Sequence, residues 1–299
     1  MTYYTWKKGT ARMNVAFFES FLEVVRAGSL MKASERLRLS HAAIGKQISA
    51  MESHYGVKLF HRSPQGVTPT DEGRLLYDRL LPVCRELRAI EAEMAAARGV
   101  GPFAIGALPS VGAYVLPRAA LAMEAAGVRV RVEVRETSDE LERLLGGGEL
   151  QAALLELSPD RTDYWSETLF EEPYDVVTYA GHRFAGRASV SVAELAEEPL
   201  VLHPPSCTTR RLITGLMADA GVRPNVKAEV QFGDFLLRYV AAGAGICFAP
   251  RMITSRMKDE GLAAVPIDDP RAKRAISLVC VSAAVGKTLR PYFDASLLE

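Results

Sequence analysis

The sequence lacks the marks of membrane, secreted and metal-binding proteins. It has no run of about 18 apolar residues, and its N-terminus does not show the charged, apolar and small-residue order of a secretory signal. Its four cysteines, Cys84, Cys207, Cys247 and Cys280, form neither a C-x-x-C pair nor a Cys/His cluster. We therefore expect a cytoplasmic protein with reduced thiols, no metal site and no membrane partner.

Signatures of catalysis are missing as well. The chain contains no G-x-S-x-G, no H-E-x-x-H and no Walker loop, and residues 101–106 do not make a dinucleotide-binding fingerprint. The sequence therefore predicts a protein that is not an enzyme, with no catalytic residues and no cofactor.

The length and charge of the chain indicate a globular protein with distinct parts. At 299 residues with 48% apolar residues, two or more domains are expected. The 36 basic and 36 acidic residues cancel overall, but residues 1–70 hold 10 Lys or Arg against 4 Glu. A basic N-terminal part is thus joined to an acidic remainder, and the basic part is the candidate for an anionic partner.

Apolar spacing predicts a helix-turn-helix in residues 13–70, after a flexible extension at 1–12. A first amphipathic helix begins at Val15 and stops at Gly28, and two shorter helices follow it. Ser29 and Ser40 stand where the N-caps of these helices belong. The third helix buries one face and presents its N-terminal residues outward, as a DNA-recognition helix does.

A wing and a long linker helix are predicted next. Strands at 57–60 and 67–69 flank a Pro-Gln-Gly turn, and a helix is expected over 71–98. Pro82 lies inside this helix and should bend it. The apolar residues of the helix alternate steps of four and three, the period of a coiled-coil seam; they are Leu76, Leu80, Val83, Leu87, Ile90, Met94 and Ala97.

Beyond the linker, residues 102–299 alternate short strands with helices, which favours an α/β domain with a mainly parallel sheet. Two subdomains suit this pattern better than one sheet: subdomain I at 102–172 and 251–299, and subdomain II at 173–250. The candidate strands are Phe103 to Leu108, Val128 to Glu136, Ala152 to Glu156, Tyr174 to Ala180, Leu200 to His203, Val226 to Phe232, Gly245 to Phe248, Leu262 to Ile267 and Ile276 to Val281.

From about Val15 almost to Glu299, the chain resembles the LysR-type transcriptional regulators. The residues that carry the resemblance are Gly28-Ser29-Leu30, Ala33-Ser34-Glu35-Arg36-Leu37, Leu39-Ser40, Lys46-Gln47-Ile48, Gly56-Val57-Lys58-Leu59-Phe60, Arg62 and Thr70-Asp71-Glu72-Gly73. In the recognition helix His41, Ala42 and Gly45 replace the Gln, Pro and Ser common in the family, and Lys46 stands for its Arg. The family's operator sequence therefore does not carry over.

The resemblance implies a winged helix-turn-helix, a linker helix and a C-terminal effector domain with the fold of a periplasmic solute-binding protein. It also implies partners: double-stranded DNA, a small-molecule effector, and further copies of the chain in a homodimer or homotetramer built through the linker helix and the effector domains. RNA polymerase is a further candidate partner.

Residues of two kinds are candidates for DNA contacts. Basic side chains, Lys58 and Arg38 among them, would neutralise phosphates, and residues at the start of the third helix would reach base edges. The alternative is that these cations form a solvated surface and the serines only cap helices. The predicted DNA-binding residues are Ser29, Lys32, Arg36, Ser40, His41, Ala42, Gly45, Lys46, Arg62, Gln65 and Thr70.

The effector is expected at loops that end strands and open helices, because ligands of open α/β sheets bind there and helix N-termini attract anions. The family places effector contacts on the matching loops, so the predicted residues are Ser110, Thr137, Ser138, Ser206, Cys207 and Thr208. These residues could instead only cap their helices.

The sequence thus predicts a DNA-binding transcriptional regulator that responds to a small, anionic effector held between two subdomains. The alternative is a redox-sensing transcription factor that uses Cys207, at a helix start that would lower its thiol pKa. Peroxide-sensing members of the family rely on a resolving cysteine not far along the chain, whereas the next cysteine here is Cys247.

Overall fold

The computed structural model describes residues 14–63, 66–97, 102–157, 164–231, 235–257 and 261–293. The extension predicted at 1–12 lies outside the described residues. The chain divides into two compact units, Met1–Ile90 and Glu91–Glu299.

Three helices surround the apolar centre of the first unit. They are α1 (Val15–Ala27), α2 (Leu30–Leu37) and α3 (His41–Tyr55). The side chains of Asn14, Ser29 and Ser40 accept N–H bonds in the first turns of these helices, so each helix has the predicted or an equivalent N-cap. The buried face includes Phe21, Leu22, Val24, Ala33, Ile44, Ile48 and Met51.

The wing is an antiparallel pair, β1 (Phe60–Ser63) and β2 (Gly66–Pro69), with Phe60 opposite Pro69. The first strand begins three residues later than predicted. Its expected start is occupied by other bonds: the N–H of Leu59 donates to Glu52 at 3.0 Å, and the C=O of Leu59 accepts from the N–H of Thr70 at 3.0 Å. The strand pairing therefore starts only after this anchored residue.

The long helix α4 spans Asp71–Ala97 and contains Pro82, as predicted. Thr70 accepts the N–H of Gly73 at 3.0 Å, and a side chain at Gly73 would meet the carbonyl oxygen of Leu59. The first part of the predicted seam packs into the core of the first unit, because Leu80 is buried there and the partly buried Leu76 packs against it. Further along, Val83, Ile90 and Met94 are exposed, so the free apolar stripe is shorter than expected.

The second unit contains the remaining elements. Its helices are α5 (Pro109–Tyr114), α6 (Leu116–Ala125), α7 (Ser138–Gly147), α8 (Thr208–Asp219), α9 (Phe235–Ala241), α10 (Arg251–Thr254) and α11 (Ala283–Leu289), with 3-10 turns at Val192–Glu197 and Arg290–Tyr292. Its strands are β3 (Phe103–Ala107), β4 (Val130–Val134), β5 (Ala152–Leu155), β6 (Trp165–Tyr179), β7 (Pro199–Leu202), β8 (Asn225–Glu229), β9 (Cys247–Pro250), β10 (Leu262–Pro266) and β11 (Lys273–Cys280).

The expectation of a mainly parallel sheet is wrong. The larger sheet runs β10-β6-β11-β5-β3-β4, with β9 also on β6. Its β3 pairs are parallel, but β11 with β5 and β6, and β10 and β9 with β6, are antiparallel. The separate β7–β8 pair is also parallel, and isolated parallel bridges join Val190 to Ile267 and Leu200 to Ile246. Parallel neighbours need a crossover connection, usually a helix, whereas β6 and β11 run in the direction opposite to their neighbours in the sheet.

The strand β6 joins two apolar cores. Its first part pairs with β11 up to Pro173, and its second part pairs with β9 and β10 from Tyr174 onward. Sequence reasoning placed only the second part, because the first part alternates apolar and polar residues and carries Glu167, Glu171 and Glu172.

The chain after β9 contributes to both cores. Met252 packs in the core that contains β3 and β5, whereas Val265 and Ala272 pack in the core around Val176 and Phe248. The subdomain boundaries given above stay a prediction. Among the described residues, no helix combines the length and apolar character needed to cross a membrane.

Candidate functional site

The outer face of α3 is the first candidate site. Ile44 and Ile48 are fully buried, whereas His41, Ala42 and Lys46 are exposed. Gly45 lies on this outer face, with open space where a Cβ would stand. The helix therefore offers the predicted base-reading residues on one accessible surface, at the end nearest its N-cap.

Side chains behind α3 hold its position and that of the wing. The hydroxyl of Ser20, which is fully buried, donates to the side chain of Gln47 at 2.5 Å. Glu52 accepts from Lys58 at 2.7 Å and from the N–H of Leu59. Burial opposes ionisation of Glu52, but the Lys58 and Leu59 bonds hold its pKa below the ordinary value. Sequence reasoning missed Glu52, although a lone Glu on an apolar helix face was a signal.

The predicted phosphate contacts divide into engaged and free groups. Arg36 pairs with Glu23 at 2.8 Å, and Lys58 pairs with Glu52, although both cations stay more than half exposed. Lys32 and Arg62 are exposed. Their roles on DNA stay predictions.

Three predicted hydroxyls at helix starts act as caps. Ser29 accepts the N–H of Lys32 at 3.4 Å, and Ser40 accepts the N–H of Ala43 at 3.1 Å. Thr70 is buried, and its hydroxyl donates to the carbonyl of Lys58 at 2.8 Å. Gln65 lies outside the described residues. DNA contacts of these residues remain predictions.

The second candidate site lies where β6 passes between two cores of the second unit. Tyr174, which is buried, accepts a bond from the Thr209 hydroxyl at 3.1 Å and donates to Glu156 at 3.4 Å. The N–H of Glu156 donates to the Ser138 hydroxyl at 3.2 Å. This chain of contacts joins the start of α7 to the start of α8, and we call it the Tyr174 network.

A buried ion pair adjoins the network. Arg274 donates to Glu172 through Nε at 2.9 Å and through an Nη at 2.6 Å, and the same Nη donates to Ser110 at 2.8 Å. Glu172 also accepts the N–H of Met252 at 2.8 Å. The Arg274 guanidinium lies 5.9 Å from the centre of the Tyr174 ring. Ser110, in the first turn of α5, is thereby linked through Arg274 to the same region of β6.

The structure thus brings the predicted effector loops together, with differences in detail. Ser110, Thr137, Ser138 and Cys207 are buried, and Ser206 is exposed. Thr137 caps α7 by accepting the N–H of Glu140 at 3.2 Å. Thr208 is half-buried, but its neighbour Thr209 makes the contact with Tyr174. Assignment of these residues to an effector stays a prediction.

The charges around the Tyr174 network are nearly all compensated. Four arginines pair with carboxylates at 2.5–3.4 Å; the pairs are Arg274–Glu172, Arg251–Asp175, Arg210–Glu229 and Arg211–Asp139. Within the described part of the chain, Glu156 has no such cationic partner. Burial raises the pKa of Glu156, against the attraction of Arg274 and the bond from Tyr174.

Sequence reasoning missed Glu156, Glu172, Tyr174 and Arg274. Glu156 directly follows the fully apolar β5, and Arg274 opens the apolar β11. A charged residue next to a buried strand was the available signal, but only the pairing of β11 with β6 shows that Arg274 meets Glu172.

Cys207 stands at the N-cap of α8 and is buried. Burial raises the pKa of its thiol, against hydrogen bonds from the Arg210 N–H and from Thr209. The expectation that the helix start lowers this pKa is therefore wrong, because desolvation outweighs the helix end. The other cysteines, Cys84, Cys247 and Cys280, are buried too. Among the described residues, no group of three His, Cys, Asp or Glu is arranged to hold a metal ion.

Comparison with known proteins covers both units. Residues 16–74 match the family "Bacterial regulatory helix-turn-helix protein, lysR family", and residues 96–291 match the "LysR substrate binding domain". The chain is 28% identical over 272 residues to the DNA-binding transcriptional dual regulator OxyR of Escherichia coli strain K12, covering 89% of each.

Two solved structures resemble the fold. Full-length OxyR of Pseudomonas aeruginosa, in a cysteine-to-aspartate variant, has a TM-score of 0.63 at 19% identity, covering 96% of this chain and 95% of the other. A hydrogen-peroxide-bound cysteine-to-serine variant of OxyR from Corynebacterium glutamicum has a TM-score of 0.59 at 23% identity, covering 97% and 92%. With both domains matched in order along the chain, the protein belongs to the LysR family of DNA-binding transcriptional regulators.

Proposed function

We propose that this regulator changes its action on DNA when a small anionic effector binds at the Tyr174 network, between the two subdomains. The predicted residues Ser110, Ser138 and Thr208 would contact it, together with Thr137, Ser206 and Cys207 around them. The observation that carries the proposal is the meeting of the starts of α7 and α8 through Ser138, Glu156, Tyr174 and Thr209.

Helix ends supply the attraction for an anion. The N-terminus of a helix carries about half a positive charge, and N–H groups and hydroxyls there can donate charge-assisted hydrogen bonds. Both α7 and α8 are at least ten residues long, so each has a full set of aligned dipoles. The two helix starts lie in different subdomains, so an anion between them would hold the subdomains together.

Glu156 sets a condition on this binding. As a carboxylate it would repel an anion, whereas as a neutral acid it would donate a hydrogen bond to one. Because burial raises the pKa of Glu156, protonation needs less acid than for an exposed Glu. Affinity for an anion should therefore increase as the pH falls, and this dependence should weaken in Glu156→Gln.

The effector would act by selecting one arrangement of the subdomains. A change at the effector domain would reach the DNA-binding heads through α4 and alter their spacing on the operator. DNA affinity itself should fall steeply with salt, with a slope of about −0.9 per phosphate contact.

The test combines genomic mapping with a double variant. Family members commonly lie beside a divergently transcribed target, so mapping the bound sites would supply candidate anions. Ser110→Ala with Thr208→Val should abolish the effect of such an anion on the DNA footprint but preserve binding without it. Thr288→Val, which changes a hydroxyl on α11, is the matched control. Normal anion binding by the double variant in calorimetry would refute this site.

Redox sensing by Cys207 is the second candidate function. It is favoured by the similarity to the regulator OxyR, whereas the burial that raises the pKa of the Cys207 thiol opposes it. The thiolate would attack one peroxide oxygen, the O–O bond would break, and the departing hydroxide would take up a proton to form water, leaving a sulfenic acid. Peroxide alone should then change the DNA footprint of the wild type but not of Cys207→Ser.

A further inference from the structure

One arginine in the helix-turn-helix adopts a backbone conformation that suits glycine. Arg38 has φ 53° and ψ 38°, and it is the only non-glycine residue with positive φ in the part of the chain that the structure describes. It ends α2: its own N–H bonds to Glu35 and Ser34, and the N–H of Leu39 bonds to the Ser34 carbonyl at 3.0 Å. A left-handed residue at this position is typical of a helix end, but it is usually glycine or asparagine.

Other helices of the same chain follow that rule. The left-handed residues that end α1, α3 and α7 are Gly28, Gly56 and Gly148, with φ between 59° and 74°. A side chain with a Cβ pays for this conformation through a clash with its own backbone. The left-handed conformation of Arg38 therefore lowers the stability of the helix-turn-helix, whereas glycine avoids this loss at the other three helix ends.

Neither local contacts nor the helix dipole explain this cost. Arg38 is exposed, and no carboxylate in the described part of the chain pairs with it. A cation at the end of α2 would favour the helix dipole, but Arg36 already lies in its last turn. By contrast, Arg36 and Arg26 both approach Glu23. Arg38 thus keeps its full charge available to an outside partner.

The position of Arg38 identifies that partner. It precedes the N-cap Ser40 by two residues, so its Cα lies within about 7.6 Å of the Ser40 Cα. The start of α3 is the surface that offers His41, Ala42 and Lys46 to the major groove. A long cationic side chain beside that surface is within reach of the phosphates that flank the groove.

We infer that Arg38 binds a DNA phosphate beside the recognition helix, and that the protein accepts a strained helix end to place the charge there. The contact adds affinity for any sequence, because phosphates carry no base information. Removal of the side chain should then make the protein more stable and a weaker DNA binder.

The experiment uses the full-length protein and a mixed-sequence 40-bp duplex as the probe. Arg38→Asn and Arg38→Gly should lower affinity about 8-fold per head at 0.1 M salt and reduce the salt slope by about 0.9 per head. Both should raise the urea midpoint, because asparagine and glycine tolerate the left-handed conformation. Arg38→Lys retains charge and strain, so it should keep most of the affinity without a gain in stability.

Lys227→Ala is the control, since it removes one exposed cation from β8 of the effector domain. It should leave affinity and slope unchanged. The inference is overturned if Arg38→Asn binds the duplex with wild-type affinity and slope, or if Arg38→Lys is as weak as Arg38→Asn. It is also overturned if Arg38→Gly lowers the urea midpoint, because the left-handed backbone would then carry no strain.

Discussion

In the DNA-binding head the buried Glu52 accepts hydrogen bonds from Lys58 and from a backbone N–H, whereas in the effector domain Glu156 meets a tyrosine hydroxyl. The first carboxylate has a lowered pKa and the second a raised one. Glu52 fixes the wing against α3. Glu156 lies where β6 passes between two cores, and among the described residues no cation forms a salt bridge with it.

The difference reflects what each region has to do. The head presents exposed cations on a rigid set of capped helices, and its buried polar groups only hold that shape. The effector domain instead gathers hydroxyls, a tyrosine and an ion pair inside, and their contacts join elements that are far apart along the chain. A buried polar group without a hydrogen-bond partner costs folding free energy. A ligand that adds or replaces hydrogen bonds here could therefore change which arrangement of these elements is the more stable.

The largest expected effect is the difference in unfolding free energy between breaking a buried ion pair and breaking an exposed one. Glu172→Ala leaves Arg274, which is 6% exposed, without its carboxylate, and should destabilise the effector domain by about 3–5 kcal/mol. Glu171→Ala, the matched control, breaks the exposed pair with Lys273 and should cost about 0–1 kcal/mol. Urea unfolding monitored by circular dichroism measures both. Equal losses would show that the Arg274 pair does not hold the crossing.

The next effect concerns the exposed part of α4. Leu87→Glu with Ile90→Glu places charges in the apolar stripe, and each lost apolar contact is worth about 1.5–3 kcal/mol. The variant should sediment as a monomer and bind a half-site weakly. Asp78→Lys, an exposed change on the opposite side of the helix, should leave the oligomer intact. An intact oligomer in the double variant would rule out this stripe as the interface.

A smaller effect distinguishes two kinds of contact in the head. Lys46→Ala should weaken specific binding by roughly 1–3 kcal/mol and relax the base preferred beneath it, because Lys46 lies on the exposed face of α3 that we predict to enter the groove. Arg62→Ala on the wing should weaken all sequences about equally. Selection of binders from a random duplex library separates the two outcomes. An unchanged preference in Lys46→Ala would mean that α3 is placed wrongly on DNA.

The smallest effect is the opposite pH response of the two carboxylates. Since the pKa of Glu52 lies below its ordinary 4.5, its stabilising contribution is present above pH 4.5 and is lost as the pH falls through the lowered value. Since the pKa of Glu156 lies above 4.5, its contribution is complete below pH 4.5 and is lost as the pH rises through the raised value.

Thermal unfolding as a function of pH checks this sign. Glu52→Gln should flatten the decline in Tm on the acidic side, and Glu156→Gln the decline above pH 4.5. If both variants flattened the decline in Tm on the same side of pH 4.5, the comparison would be contradicted.

Local patterns predicted most of the fold. Caps at Ser29 and Ser40, the start of α4 after Thr70 and most strand positions follow from periodicity and turn residues alone. The direction of the strands in the larger sheet did not follow, because antiparallel return strands such as β11 look like any apolar run in sequence.

The candidate effector site was predicted in part. The loops at Ser110, Ser138 and Cys207 were found because each opens a helix, a property of neighbouring residues. The groups that join these loops, Tyr174 and Arg274, were not found because each is a polar residue within or beside a strand. Their partners are far along the chain, at Thr209 and Ser110.

The sequence by itself determined the family, through the resemblance carried by residues 28–73. It also determined the helix-turn-helix surface and the period of the linker helix, because these depend on contacts three or four residues apart. Only the tertiary structure decided that Leu76 and Leu80 of the linker stripe pack into the core of the first unit, that Cys207 is buried, and that Glu156 has no salt-bridge partner among the described residues. Burial and charge compensation depend on which distant segments meet, and the crossing of β6 between two cores sets those meetings.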